Sequence, residues 1–233
     1  MRAYYDLHIH SALSPCGDED MTPNNIVNMA LLKGLNVIAV TDHNSCGNVR
    51  AVQKVAGDSL IVIPGMEIET EEEVHVLAYF PTVEQAENME KEIIKSVPPI
   101  KNKADIFGRQ LYLDENDEII GEEERLLVMA SGLSIEQVFE RVRYHGGIPV
   151  LAHIDRSSYS VISNLGFIPE NIEVSALEIT EKKRAELEEK YKKFVVLTSS
   201  DAHYLGDISE PMYYFDIFNK TIEEFLDKLT NKK

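Results

Sequence analysis

At 233 residues, with 44% apolar and 27% charged residues, the chain has the composition of an ordinary soluble globular protein that can bury a sizeable core. Its formal net charge of −17 repels a polyphosphate backbone, which argues against long duplex nucleic acid as a partner; anionic substrates stay open, because bound divalent metals reverse the local potential. There is no apolar run of bilayer length, no secretory leader pattern, and only Cys16 and Cys46 to offer thiols, so the expected setting is a reducing cytoplasm without a membrane partner.

The chain opens on Tyr4-Tyr5-Asp6-Leu7-His8-Ile9-His10, a β-rich run ending in two histidines one residue apart. Residues i and i+2 of a strand project to the same side, so these imidazoles make half a metal site. The same pair also suits two polar niches, and the other histidines decide between the readings. A polar stretch from Ser11 to Pro23 carries Asp18, Glu19 and Asp20. Thr22-Pro23 reads as a helix cap with proline at the first helical position, Ile26, Met29, Ala30 and Leu31 form the apolar stripe, and Gly34 ends the helix. Leu35 to Val40 suits a buried parallel strand and stops at Thr41-Asp42-His43.

A short helix around Val49 to Ala56 leads to the strand Leu60-Ile61-Val62-Ile63 and then Pro64-Gly65-Met66-Glu67. An acidic turn, Glu69 to Glu73, precedes the strand Val74 to Phe80, which holds His75. Thr82 to Lys95 reads as an exposed acidic helix. Ser96 to Glu124 is the least regular segment, with a charged turn at Asp114 to Glu118; it reads as an insertion that could cover a cleft or lie on the surface. Ser134 caps a helix to His145, with Gln137 at the capping-box position. Ile148 to Ala152 is a strand ending in His153, and Val174 to Ile179 another, with Glu178 at its end. A solvent-facing helix follows from Glu181 to Lys193, then the strand Phe194 to Thr198, then Ser199-Ser200-Asp201-Ala202-His203. Met212 to Phe218 and a capped helix from Thr221 complete a single domain over 1–233.

Strands alternating with helices imply a parallel α/β sheet, open or closed into a barrel. His43, Glu67, His153, Asp201 and His203 all fall at or just beyond the ends of apolar strands, and such ends converge on one rim where ligands bind. His145 stands apart at a helix end, where dipole capping explains it. Imidazoles mixed with carboxylates suit zinc, manganese or iron in a hydrolytic site.

Asp6-Leu7-His8-Ile9-His10, Thr41-Asp42-His43-Asn44-Ser45, Gly65-Met66-Glu67, Ala152-His153 and Ser200-Asp201-Ala202-His203 together resemble the PHP (polymerase and histidinol phosphatase) superfamily, in the family's order and over nearly the whole chain. The resemblance implies a distorted (β/α)7 TIM-like barrel with up to three divalent metal ions at the C-terminal ends of the strands. It also implies phosphoesterase activity by attack of a metal-bridging hydroxide on a small phosphate ester, such as a nucleotide or short oligonucleotide. Carried over by position, His8, His10, Glu67 and Asp201 hold a first ion, Glu67 with His75 and His153 a second, and Asp18, His43 and His203 a third. The family's usual position for this ligand is occupied by Pro15 here; a three-residue insertion restores the match at Asp18, which then precedes Pro23 by the usual interval, and Glu19 and Asp20 stand as substitutes. Ile154 replaces a proline common among relatives.

Among other residues, Arg156 lies three positions beyond His153, where a guanidinium either grips a substrate phosphate or pairs with a surface acid. Arg109, from the 96–124 insertion, is a second candidate for substrate binding. Asp201 is also the candidate for managing a proton. Glu178 reads as a rim carboxylate or an orienting partner of a histidine, and Cys16 and Cys46 as loop thiols outside the ligand set. Rival readings are a histidinol-phosphate phosphatase, a metal-dependent amidohydrolase, for which no lysine stands at a strand end, and a catalytically silent metal-binding regulatory module.

Overall fold

The computed structural model describes residues 1–230. Local capping signals set most helix starts. Thr22 accepts the Asn25 N–H with Pro23 opening α1 (Pro23–Leu32), and Ser134 and Gln137 close a reciprocal capping box at the start of α5 (Ile135–Tyr144). Thr82 and Thr221 cap α3 (Val83–Ser96) and α8 (Ile222–Leu229) in the same way. The remaining helices are α2 (Val49–Ala56), α4 (Ala104–Phe107), α6 (Val161–Leu165) and α7 (Glu181–Leu187).

The strands are β1 (Arg2–Ile9), β2 (Val37–Val40), β3 (Ile61–Glu69), β4 (His75–Tyr79), β5 (Leu111–Leu113), β6 (Ile119–Glu122), β7 (Ile148–Leu151), β8 (Ala176–Glu178), β9 (Val195–Leu197) and β10 (Tyr214–Asp216). Eight of them form one curled sheet in the order β10-β1-β2-β3-β4-β7-β8-β9, in which β10 is an antiparallel edge on β1. The chain beyond β9 returns to β1. Ile9 and Ala202 form a parallel bridge, His10 N–H donates to Ala202 O at 2.9 Å, and Leu7 N–H donates to Ser199 Oγ at 3.2 Å. These contacts make the sheet a distorted TIM-like barrel.

Besides the edge strand β10, β4 breaks the parallel rule. β3 does not stop at Ile63 but runs on through Pro64 to Glu69, and β4 pairs antiparallel with both β3 and β7. The connection is therefore a hairpin and not a helical crossover. The N-terminal end of β4 lies on the rim where its neighbours have their C-terminal ends, and His75 is its first residue.

The core has two layers. Inside the barrel, Ala3, Tyr5, Leu7, Val37, Ala39, Ile63, Leu77 and Val150 pack together, closed below by Phe225, Leu226 and Leu229 of α8. Outside it, Ile38, Val40, Val62 and Met66 pack against apolar faces of the surrounding helices. Each such buried side chain contributes about 1.5–3 kcal/mol relative to exposure. Leu7 belongs to the inner layer but Ile9 to the outer. A register shift in β1–β2 pairing between Asp6 and Ile9 accounts for that change of phase, and His8 and His10 come to the interior side by this bulge.

The 96–124 segment folds as α4 and the antiparallel β5–β6 hairpin. It packs on the loops that follow β1 and β2: Leu111 N–H donates to Ala12 O, and Asn48 bridges Leu111 O and Leu113 N–H.

Candidate metal centre

Six of the seven histidines meet at the C-terminal rim. His8 lies on β1 and His10 just beyond it, His43 follows β2, His75 begins β4, His153 follows β7, and His203 follows β9. Glu67, on β3, stands among them: its carboxylate lies 3.3 Å from His8 and His10 Nε2, 3.3 Å from His43 Nδ1, 2.7 Å from His75 Nδ1 and 3.2 Å from His153 Nε2. Asp201 Oδ1 lies 3.3 Å from His8 Nε2 and 3.1 Å from His10 Nε2. His145 is elsewhere, at the C-cap of α5 and 3.0 Å from Glu92.

Hydrogen bonds on the far side of each ring fix which nitrogen faces inward. Glu178 Oε2 lies 3.0 Å from His8 Nδ1, and a carboxylate only accepts, so Nδ1 carries the hydrogen and Nε2 is directed at Glu67 and Asp201. His10 Nδ1 lies 2.9 Å from Ser14 Oγ, whose own hydrogen goes to Asp42 Oδ1 at 2.7 Å, so this ring too presents Nε2. His203 Nδ1 donates to Asp201 O at 2.9 Å.

The backbone is bent to the same end. His153 and Asp201 both have positive φ, 24° and 54°, in a region that costs a non-glycine residue about 1–3 kcal/mol. Main-chain contacts hold them: His153 N–H donates to Glu178 Oε2 at 3.1 Å, and Ser200, next to Asp201, bonds Asp6 through its N–H and hydroxyl.

Electrostatics agree with an acidic centre crowded by imidazoles. Burial alone lowers the pKa of His8 and His10, but Asp201 and Glu67 outweigh it and both end raised; His75 is raised to about 9 as Glu67 outweighs burial. Burial and the nearby His10 depress His43 and His203. Burial opposes ionisation of Glu67 and Asp201, yet the facing imidazoles hold both carboxyls well below the usual range.

The donor set fits bound divalent cations. His43 Nδ1, His75 Nδ1, His153 Nδ1 and Glu178 Oε1 are buried without a hydrogen-bond partner among the described residues. His75 Nδ1 approaches Glu67 to 2.7 Å off the hydrogen-bond direction. Such groups are costly unless a cation completes them. Three sets of donor atoms lie within 4.8 Å of one another: His8, His10, Glu67 and Asp201; His43, Glu67 and His75; and His10, Cys16, His43 and His203.

Not every expected residue joins them. Asp18 is absent from these sets; its Oδ1 accepts the Asp20 N–H at 2.9 Å, and Glu19 and Asp20 are exposed. Arg109 pairs with Glu122 of the insertion and with Glu19 of the loop after β1. Arg156 does reach the centre: it lies 2.6 Å from Asp201 Oδ2 and is half-exposed at a cavity of about 790 Å³ that opens beside His153 and Asp201. Asp6, Ser14 and Asp42 have no role that the sequence alone assigns, and Cys16 lies outside the ligand set expected from it. Glu178 is buried and oriented toward His8, not a plain rim carboxylate. Asp6 and Asp42 did carry a signal, since each stands one or two residues before a cluster histidine.

The PHP domain family matches residues 6–232. The chain belongs to the PHP family. A curated relative, an uncharacterised protein of Methanocaldococcus jannaschii, is 35% identical over 95 residues, which are 41% of this chain and 12% of that protein. Among solved structures, the lesion-specific endonuclease EndoQ of Pyrococcus furiosus superposes over 100% of this PHP chain and 57% of its own, with a TM-score of 0.76 and 20% identity. A two-domain Bacteroides vulgatus protein containing a predicted PHP-like metal-dependent phosphoesterase matches over 100% of this chain and 63% of its own, with a TM-score of 0.59 and 15% identity. The chain thus spans little more than half the length of EndoQ. These likenesses establish the fold of PHP metal-dependent phosphoesterases.

They also correct one expectation. EndoQ has been solved with a 27-mer duplex bearing an abasic lesion at the active site, in a structure that superposes on this chain with a TM-score of 0.75, so net charge does not exclude long duplex nucleic acid for this fold. The physical reason is local. A charge of −17 averages the whole surface and leaves out bound cations; the cavity beside the PHP centre carries Arg156, Lys182 and Lys183 among six acidic residues, so it is bound cations that would reverse the local potential.

Proposed function

We propose that this chain is a metal-dependent phosphoesterase acting on a nucleotidic phosphate ester. The observation that supports this reading most is the convergence of six imidazoles with Glu67 and Asp201 beside a cavity that carries Arg156. In this reading His8, His10, Glu67 and Asp201 hold one ion, and Glu67, His75 and His153 another. His43 and His203 take part in a third. When bound, such ions supply Lewis acidity that polarises a phosphoryl oxygen and makes water a nucleophile near neutral pH.

The chain's own residues do the rest. Glu178, and Asp42 through Ser14, lock His8 and His10 in the tautomers that present Nε2. Arg156 exchanges its contact with Asp201 for a charge-assisted grip on a phosphate oxygen. That exchange frees Asp201 Oδ2, at the cavity edge, to accept a proton as the ester is cleaved. Lys182 and Lys183 stand on the cavity wall among its acidic residues and offer cationic contacts to a longer strand.

The test is a panel of phosphate esters with manganese, zinc or iron: mononucleotides, short oligonucleotides and a duplex with an abasic site. Turnover of any member that is lost in His8→Ala supports the reading. Inactivity of metal-loaded protein on every member contradicts it.

A further inference from the structure

One donor set contains a cysteine, Cys16, next to Pro15, which stands where the family pattern has a carboxylate. Cys16 lies with His10, His43 and His203, all four donor atoms within 4.8 Å of one another. A tetrahedral ion with zinc–sulfur and zinc–nitrogen bonds of about 2.0–2.3 Å needs donors about 3.3–3.8 Å apart, so modest side-chain rotation brings this set into range. His10 Nε2 already faces Glu67 and Asp201, which leaves Cys16, His43 and His203 for an outer ion.

Two further observations point to a ligand there. His43 is only 7% exposed, and its Nδ1, 3.3 Å from Glu67 Oε2, makes no hydrogen bond among the described residues, so this buried ring lacks a protein partner for hydrogen bonding. His203 has its Nδ1 committed to Asp201 O, which leaves Nε2 unused by that bond. The loop that presents Cys16 is also fixed in relation to His203. Gly17 N–H donates to Ser14 O at 2.9 Å, and Asp18 N–H donates to His203 O at 2.9 Å. That last contact brings the Asp18 main chain to the site, while its carboxylate Oδ1 is used on the Asp20 amide.

We propose that Cys16, and not Asp18, is the third protein donor of an outer metal site completed by His43 and His203. The thiol proton leaves to solvent, and the thiolate sulfur forms the bond to the ion. Three protein donors leave a fourth position open to water or a substrate oxygen. A sulfur donor tilts the outer site toward zinc, iron or cobalt and away from magnesium. The inference rests on the reading that the cluster binds metal, and spectroscopy separates the two.

The experiment loads the protein with cobalt(II) and records near-ultraviolet absorption together with metal content, for the parent chain and for Cys16→Ser, Cys16→Asp and Asp18→Asn. The parent is expected to show a sulfur-to-cobalt charge-transfer band. Cys16→Ser loses the band and one metal equivalent, Cys16→Asp loses the band but keeps the equivalent, and Asp18→Asn keeps both. A parent that binds cobalt without the band overturns the sulfur ligand and leaves the wider metal reading standing. Loss of the equivalent in Asp18→Asn but not in Cys16→Ser overturns it as well. A parent that binds no cobalt overturns both.

Discussion

Glu178 and His8 meet at 3.0 Å through Oε2 and Nδ1, and the same carboxylate oxygen receives the His153 main-chain N–H at 3.1 Å. One buried acid at the end of β8 therefore sets the tautomer of a histidine on β1 and the backbone of another after β7. β1 and the end of β7 supply different ligands, and Glu178 from β8 keeps them in register.

Replacing Glu178 with Gln keeps the shape but removes the obligate acceptor. Metal affinity is expected to fall about 10–100-fold, read by competitive titration, because partners that orient a ligating imidazole contribute on that scale. The fold should persist. Unchanged affinity contradicts the orienting role.

Arg156→Ala is expected to lower kcat/KM about 10–100-fold with metal content unchanged, the scale of losing charge-assisted hydrogen bonds to phosphate. Arg156→Lys recovers only part, since a lysine lacks the bidentate fork. The Arg156–Asp201 pair is half-exposed on the arginine side, so the variant's melting temperature should stay close to the parent's. Equal kcat/KM in all three proteins contradicts a phosphate-gripping role.

Asp42 accepts from Ser11 N–H, Ser11 Oγ and Ser14 Oγ, all buried. Asp42→Ala strands these donors and releases the His10 relay. Urea unfolding should show a loss of about 2–4 kcal/mol, as expected for several unpaired buried groups. A loss below 1 kcal/mol contradicts the proposed strength of this network.

Much of the centre was legible because strand ends in an α/β fold share a rim: His43, His153, Asp201 and His203 needed only their positions after apolar runs. His8 and His10 were paired for an incomplete reason. The i, i+2 rule holds on a regular strand, and it is the bulge between Asp6 and Ile9 that turns them inward. His75 read as a residue inside a strand because periodicity does not reveal strand direction, and the reversal of β4 depends on the hairpin with β3. The Asp18 and Cys16 assignments turn on how the Ser11 to Asp20 loop folds, which is set by contacts distant in sequence. One is Asp18 N–H to His203 O; another is the docked insertion.

Gly108 supplies that docking. Its φ is +96°, and a Cβ there would lie 2.1 Å from Pro15 O, beside Cys16. Gly108→Ala should lift the insertion off this loop, with faster hydrogen exchange at Ala12 to Gly17 and a stability loss of about 1–3 kcal/mol. Exchange in the inner strands β2 and β3 should be unaltered. An unperturbed loop contradicts the buttressing role of the insertion.

Metal-dependent phosphoester hydrolysis is tested most directly by one chelation and add-back assay on the full chain, following cleavage of the best ester from the nucleotide and abasic-duplex panel. Activity is expected to disappear on removing divalent ions and to return with manganese, zinc or iron in the parent, but not in His8→Ala. Hydrolysis that survives complete metal removal, or that returns equally in His8→Ala, contradicts it.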